Sequence, residues 1–431
     1  MAAESTAADG TAPSSLTRLR NRLEGPNTIG NSRPFWIGFA LVLAALVAFP
    51  ILGTGTGNQF SLFLVLGLLG LSLSLVWGYT GILSFGQTVF FGVGAYTFGV
   101  VSINVPSPGG ITGAIVAGTL AGAVLAALLG YFMFYGGVRD VYVTIITLVS
   151  TLVTLTFMAQ TAGSEWTIGE AALGGFNGMP GMPPLTLGVE GLFTFQFVFN
   201  KYEVFVPFLG TRPFDPFYYL ALALLVAAYL GLRVLVNMDF GRVLVAIRED
   251  EDRTEMFGYD VKRAKLVSFT LGGGLAGFAG VLYAARNVYI DPSVFELYFA
   301  TLPVVWVSVG GRKSLLGAVV ATIAVEYLRL SIGGEYALVA VGALLLLSIL
   351  VLPGGVVPWI ASRGIPWIKT DGAPWIWDDW IPWLKNEAIP WIRHDSIPWL
   401  KNDSIQWLKN DAIPWIKEKA RPSVNTEETE S

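Results

Sequence analysis

The sequence has no cysteine and a single histidine, His394, so disulfides, thiolate chemistry and a His/Cys metal cluster are all excluded. It is also short of charge. Only 13% of its 431 residues are Asp, Glu, Lys or Arg, about half the share in an average soluble domain, while 53% are hydrophobic. A net charge of -4 offers no footprint for nucleic acid. No phosphate-binding loop is present. Its nearest approximation, Gly310-Gly311-Arg312-Lys313-Ser314, lacks the spaced first glycine and carries Arg312 where the last one belongs, so the chain cannot hydrolyse ATP alone. What it has in quantity is glycine, 50 residues, as expected where helices approach closely in lipid.

A membrane-spanning helix needs about 20 mainly apolar residues. Ten segments qualify: 35–52, 60–80, 82–103, 111–134, 141–160, 216–236, 266–289, 297–310, 315–330 and 336–352. The eighth and ninth are short and parted by four residues, which leaves a single broken or re-entrant element as the alternative. The fold expected is therefore all-α and polytopic, with about ten transmembrane helices. The polar 1–34 stretch, with Arg18, Arg20, Arg22 and Arg33, reads as an uncleaved cytoplasmic tail. Of the 27 basic residues, all but Lys201, Arg212, Arg286 and Arg329 then fall on the same side, so both termini are expected in the cytoplasm of a plasma-membrane protein.

The longest inside connection contains Gly241-Arg242-Val243-Leu244-Val245-Ala246-Ile247-Arg248-Glu249-Asp250-Glu251-Asp252-Arg253-Thr254-Glu255-Met256-Phe257-Gly258. Leu244 and Ile247 share a helical face, Met256 and Phe257 would extend it, and Gly258 would end it in the left-handed region. A short helix with an apolar face suits a groove on another protein; a solvated linker reads equally well. Gly272-Gly273-Gly274-Leu275-Ala276-Gly277 satisfies the dinucleotide-loop pattern but lies inside an apolar span. Gly273/Gly277 and Ala276/Gly280 instead have helix-contact spacing.

Three separated segments carry a family resemblance. "WGYTGILSFGQTVFFGVGAY" (77–96), "VRDVYVTIITL" (138–148) and the stretch from Gly241 through Ala284 resemble the permeases of branched-chain amino-acid and urea or short-chain amide ABC importers. The likeness runs from about Phe60 to Pro353, making 35–353 a permease domain between the 1–34 tail and the 354–431 tail. It implies a translocation subunit without catalytic residues, cofactor or metal, with ATP bound by a partner. The implied partners are a second homologous permease, two ATP-binding subunits, an extracytoplasmic solute-binding protein and the bilayer. It makes Arg242, Ile247, Arg248, Glu249, Asp250, Glu251, Arg253, Glu255 and Gly258 an ATPase-coupling loop. Gly174-Gly175-Phe176-Asn177-Gly178, in the long 161–215 outer loop, resembles a family element where the binding protein would dock, giving Gly175, Asn177 and Gly178; a plain Gly/Asn turn is the alternative. Trp306–Arg312 and "GQTVFFG" (86–92) lean toward the urea-type branch.

Polar groups inside spans are pathway candidates because they are costly against lipid. Gln87 follows Ser84 and Gly86 in a stretch prone to unwinding, and Thr147 and Thr151 lie on a polar sector with Thr144, Ser150 and Thr154. Hydroxyls bonded to the preceding turn are the simpler reading for the last group. Glu326 and Arg329 read as an intrahelical ion pair. A secondary transporter or a membrane-embedded enzyme remains the rival class, but intramembrane carboxylates are sparse. Beyond Pro353, tryptophan recurs every eight residues from Trp359 to Trp415, preceded by proline except at Trp407. Those prolines rule out a continuous helix, leaving an interfacial array or a dispensable repeat expansion.

Overall fold

A computed structural model describes residues 22–52, 57–139, 141–191, 193–197, 202–206, 210–352 and 354–364. The octad array beyond 364, and most of the 1–34 tail, lie outside the described residues. Two compact units divide the chain: Met1–Ile360, which holds everything discussed below, and Ala361–Ser431.

Helices form on all ten apolar segments. They are α1 (Arg33–Leu52), α2 (Gly57–Leu73), α3 (Gln87–Asn104), α4 (Pro108–Tyr135), α5 (Val141–Ala159), α6 (Pro216–Asn237), α9 (Val261–Asn287), α10 (Leu297–Gly310), α11 (Leu315–Ile332) and α12 (Gly334–Val351), with α7 (Asp239–Glu249) and α8 (Glu251–Met256) between α6 and α9. Among the described residues seven stretches are long and apolar enough to cross a membrane; α10 and α12 are among the shorter apolar helices. This is an all-α polytopic membrane protein. Segments eight and nine are two helices, reversing at Gly311–Ser314, where Gly310 and Gly317 approach so closely that a Cβ on either would meet the other's carbonyl at 2.1 Å.

Local chemistry sets the helix starts. Asp215 accepts from the Phe217 and Tyr218 amides ahead of Pro216, and Ser107 accepts from Gly110 N ahead of Pro108. Asp260 and Ser314 do the same for α9 and α11. Each satisfies a donor that has no partner within its own helix, and proline at the first position forfeits none.

The stretch Gln59–Tyr79 is 83% buried and forms the axis of the bundle, while α1 keeps only 6% buried and turns Ile37, Leu41 and Val42 outward. Against that axis α3, α4 and α9 meet through glycine. A Cβ on Gly94 would lie 2.7 Å from Gly277 Cα, one on Gly122 2.8 Å from the same atom, and one on Gly118 2.5 Å from Gly94 O. Backbone-to-backbone approach of this kind supplies the dispersion contact that holds helices together in lipid, where no hydrophobic drive exists between them. The Gly272–Gly277 pattern is thus helix packing.

Two features differ from the sequence expectation. The third span does not begin at residue 82. The axial helix widens into a π turn (Ser74–Tyr79), residues 81–86 are non-helical, and α3 starts only at Gln87. The 161–215 stretch folds into short antiparallel pairs, β1 (Thr167–Ile168) with β2 (Ala171–Ala172), β4 (Thr186–Val189) with β5 (Phe193–Gln196), and β6 (Tyr202–Val206) with β7 (Gly210–Phe214). In addition β3 (Met179–Pro180) pairs with β8 (Tyr289–Ile290), tying that stretch to the α9–α10 connection.

At the opposite end of the bundle, residues 22–32 form a strap held by Arg233. Its guanidinium donates to the carbonyls of Leu23, Ile29 and Gly30, to Asn31 Oδ1 and to Tyr229 Oη, and stands about 5 Å from the Phe35 and Trp36 ring centres. Asn237 closes the strap through Asn27 N and Thr28 Oγ1. Arg233 is fully buried, yet satisfied on every side, as a buried cation must be.

Candidate functional site

Three places stand out: the break before α3, the α7–α8 loop and the turn at 174–178.

In the 81–86 break Gly81 N and Ile82 N still donate back to Trp77 O and Val76 O, but Leu83 O and Phe85 N and O have no backbone partner among the described residues, and in a membrane interior each unsatisfied group is costly. Side chains of α5 answer for them. Thr144 Oγ1 donates to Leu83 O at 3.0 Å, Thr147 Oγ1 accepts from Phe85 N at 3.2 Å, and Thr151 Oγ1 donates to Phe85 O at 3.2 Å. Thr88 Oγ1 also donates to Phe85 O, and Ser84 Oγ accepts from Gly86 N. Ser150 and Thr154 instead bond only the preceding turn, to Ile146 O and Ser150 O. The polar sector therefore divides, with Thr144, Thr147 and Thr151 clasping the break. Gln87 is buried at the first position of α3; its Oε1 accepts from Ser72 Oγ at 3.3 Å, while its Nε2 has no hydrogen-bond partner among the described residues. Thr80 and Ser268 hydroxyls pair at 2.7 Å one step earlier in the chain. The structure thus gathers Gln87, Thr147 and Thr151 at one discontinuity. Elsewhere in the bundle Arg329 Nη2 pairs with the buried Glu326 Oε2 at 2.6 Å, the ion pair read from the sequence.

In the α7–α8 loop the expected continuous apolar face is absent. Leu244 and Ile247 are buried within the chain's own core, whereas Met256 and Phe257 are 86% and 76% exposed. The cause is Asp250. With φ -161° it ends α7, and its Oδ1 accepts from Arg253 N to start α8 on a new axis. Gly258 does stop α8 in the left-handed region, at φ 86°.

Most of the loop's charges are engaged internally. Glu251 pairs with the nearly buried Lys265. Glu249 accepts from Arg248 at 2.7 Å and from Lys313 at 3.3 Å, and these cations hold its carboxyl below the ordinary carboxylate range. Arg248 also donates to Gly78 O in the π turn. Arg253 lies 3.4 Å from Asp250, Arg242 3.1 Å from Asp239, and Asp252 3.4 Å from Arg139. Glu255 is exposed. The loop is thereby linked to the axial helix, to α9 and to the α10–α11 turn. What it shows outward is the apolar group Met256, Phe257 and Tyr259. The sequence reading passed over Tyr259, although its position just past the helix-stopping glycine was a usable signal.

In the 174–178 turn Gly174, Gly175 and Gly178 all have positive φ, and a Cβ on Gly174 would meet Gly178 O at 1.9 Å. Only glycine fits so tight a turn. It displays Phe176, 72% exposed, and the Asn177 side chain, and is pinned where Tyr289 Oη donates to Asn177 O at 2.9 Å. Among the described residues no group of three or more His, Cys, Asp or Glu is placed to hold a metal ion.

The family described as "branched-chain amino acid transport system / permease component" matches residues 55–352. The chain is 31% identical over 331 residues to the high-affinity branched-chain amino acid transport system permease protein LivM of Escherichia coli (strain K12), covering 74% of this chain and 73% of that one. The Salmonella typhimurium protein of the same name is 30% identical over 330 residues, with the same coverage. The probable branched-chain amino acid transport permease protein LivM of Methanocaldococcus jannaschii is 26% identical over 272 residues, 58% of this chain and 73% of that one. No solved structure matches. The chain belongs to the permease-component family of branched-chain amino acid transport systems, and it is an integral membrane transporter subunit, not an enzyme.

Proposed function

We propose that this chain lines half of the translocation route of an ATP-driven importer for a branched-chain amino acid, paired with a second homologous permease. Two separate ATP-binding subunits would drive it from the α7–α8 end, in the cytoplasm with both termini, and a solute-binding protein would deliver solute to the 161–215 face. The single observation that carries this reading is the α7–α8 loop. Its inner face is rooted by Leu244 and Ile247, its charges tie it to α9, the axial π turn and the α10–α11 turn, and an apolar group is left outward. A rigid lever with one exposed apolar tip is suited to carry a partner's motion into the bundle. In this scheme the break at 81–86, with Gln87, Thr147 and Thr151, is the part of the route that rearranges, since Leu83 O and Phe85 N and O are held by side chains.

The relatives' names favour leucine-like solutes. Trp306–Arg312 and the Gly86–Gly92 stretch favour urea or a short amide as the second reading. Uptake of labelled leucine and labelled urea by membranes carrying the complete transporter separates the two. The coupling role is tested by replacing Met256 and Phe257 with Ala. Loss of ATPase co-purification and of uptake, with the chain still in the membrane, is expected; unchanged co-purification and uptake would refute it.

A further inference from the structure

A cavity of about 400 Å³ lies where the 26–29 strap, the end of the π turn, α7 and the α10–α11 turn converge. Beside the neutral Asn27, Thr28 and Tyr79, its charged lining is cationic: Arg248 from α7, and Arg312 and Lys313 from the Gly-Gly-Arg-Lys-Ser turn that fails as an ATP loop. Among the described residues lining it none is acidic. Glu249, beside the cavity, offsets one charge by bridging Arg248 and Lys313. Arg312 makes no ion pair or side-chain hydrogen bond among the described residues, so about two positive charges stay uncompensated. Holding like charges together is unfavourable unless an anion joins them.

We propose that this cavity binds a phosphate ester, with Arg312 and Lys313 as its principal ligands. Guanidinium matches two phosphate oxygens at once, and a lysine beside it adds a point charge. The cavity is larger than a bare phosphate requires. An apolar part of its wall, from Pro26, Ile29, Val245 and Pro358, suits the ester's uncharged part. The helix end contributes little, because Ser314 Oγ already accepts from Gly317 N at the first turn of α11. The anion is held by side chains. Since this end of the bundle is the one proposed to face the cytoplasm, the ester is either an anionic lipid headgroup of the inner leaflet or a soluble phosphate compound. Because Arg248 and the turn also flank Glu249, an occupant would stiffen the contact between the α7–α8 loop and the α10–α11 turn. The inference does not depend on which solute is carried.

The test uses the purified full chain and two probes. Native mass spectrometry after release from mixed phosphatidylcholine and phosphatidylglycerol nanodiscs counts retained anionic lipid. Equilibrium dialysis in neutral detergent measures binding of labelled glycerol 3-phosphate. Arg312→Gln with Lys313→Gln is expected to lower binding of the effective probe by at least about tenfold, the loss of one or two charged hydrogen bonds. Arg312→Lys with Lys313→Arg should keep most of it. Retention of the lipid alone supports a headgroup, and binding of the soluble ester alone supports a free phosphate compound. Binding of neither probe, binding unaffected by the Gln pair, or equal loss in the charge-preserving pair would overturn the proposal.

Discussion

Replacing Thr147 by Val keeps the shape of the side chain and removes the hydroxyl that accepts from Phe85 N in the break before α3. Among the described residues that amide has no other acceptor, so the change leaves a donor unpaired in a half-buried, low-dielectric setting. The expected cost is about 1–3 kcal/mol. Thr151→Val removes one donor to Phe85 O, but Thr88 Oγ1 still donates to that carbonyl at 3.3 Å, so the cost should fall to about 0.5–1.5 kcal/mol. Thr154→Val touches only a bond within α5 and should cost within about 0.5 kcal/mol. The order of apparent melting points of detergent-purified protein is therefore wild type and Thr154→Val highest, then Thr151→Val, then Thr147→Val. Soluble domains of 150–250 residues shift by roughly 2–4 °C per kcal/mol, which sets the scale. Thr147→Ser should recover most of the loss by restoring the oxygen. If Thr147→Val and Thr154→Val melt together, α5 does not support the broken segment and the clasp is refuted.

Other perturbations test other contacts. Gly94→Leu drives a side chain into Gly277 of α9 and should cost at least about 1–3 kcal/mol, while Gly113→Ala, with nothing within 4 Å, should be neutral or slightly stabilising in the same melting assay. Lys265→Met strips Glu251 of its partner; because the Glu251 side chain keeps 30% of its surface, about 1–3 kcal/mol is expected, below the cost of a fully buried pair. Glu249 titrates below its ordinary value when folded, so its contribution is complete above the unfolded carboxylate's range and disappears as pH falls through the folded value. The difference in melting point between wild type and Glu249→Gln should therefore be flat from neutral pH down to that range and shrink below it. A reporter active only outside the cell should be active inserted near Gly178 and silent at Glu24.

The ten helices were legible because each is an apolar run bounded by polar or capping residues, a signal local to its own stretch of chain. The glycine contacts of α9 were legible by spacing, but their partners were not. Gly122 and Gly94 lie far away in sequence, and nothing local announces that they meet Gly277. Hydropathy placed the third span five residues early, because Ile82, Leu83 and Phe85 count as apolar wherever they sit. What unwinds them is Gly81 and Gly86 together with hydroxyls from α5, a tertiary cause. The strap was invisible for the same reason: Arg233 reads as an ordinary cation at a helix end until the carbonyls of residues 23–30 are seen around it.

The α7–α8 loop shows most clearly where sequence reasoning stops. Apolar spacing marked a short helix there, and Gly258 its end. Which residues face outward was decided by Asp250, a single aspartate that caps a new helix instead of continuing the old one. The consequence inverts the surface. The residues first assigned to a partner, Ile247 and Glu251, are spent on the chain's own core and on Lys265, while Met256, Phe257 and Tyr259 remain outside. Reversing Glu251 would therefore disturb this chain's fold before it disturbed any partner. Truncating Met256 and Phe257 removes surface that this chain does not use, and only the second kind of change separates coupling from stability.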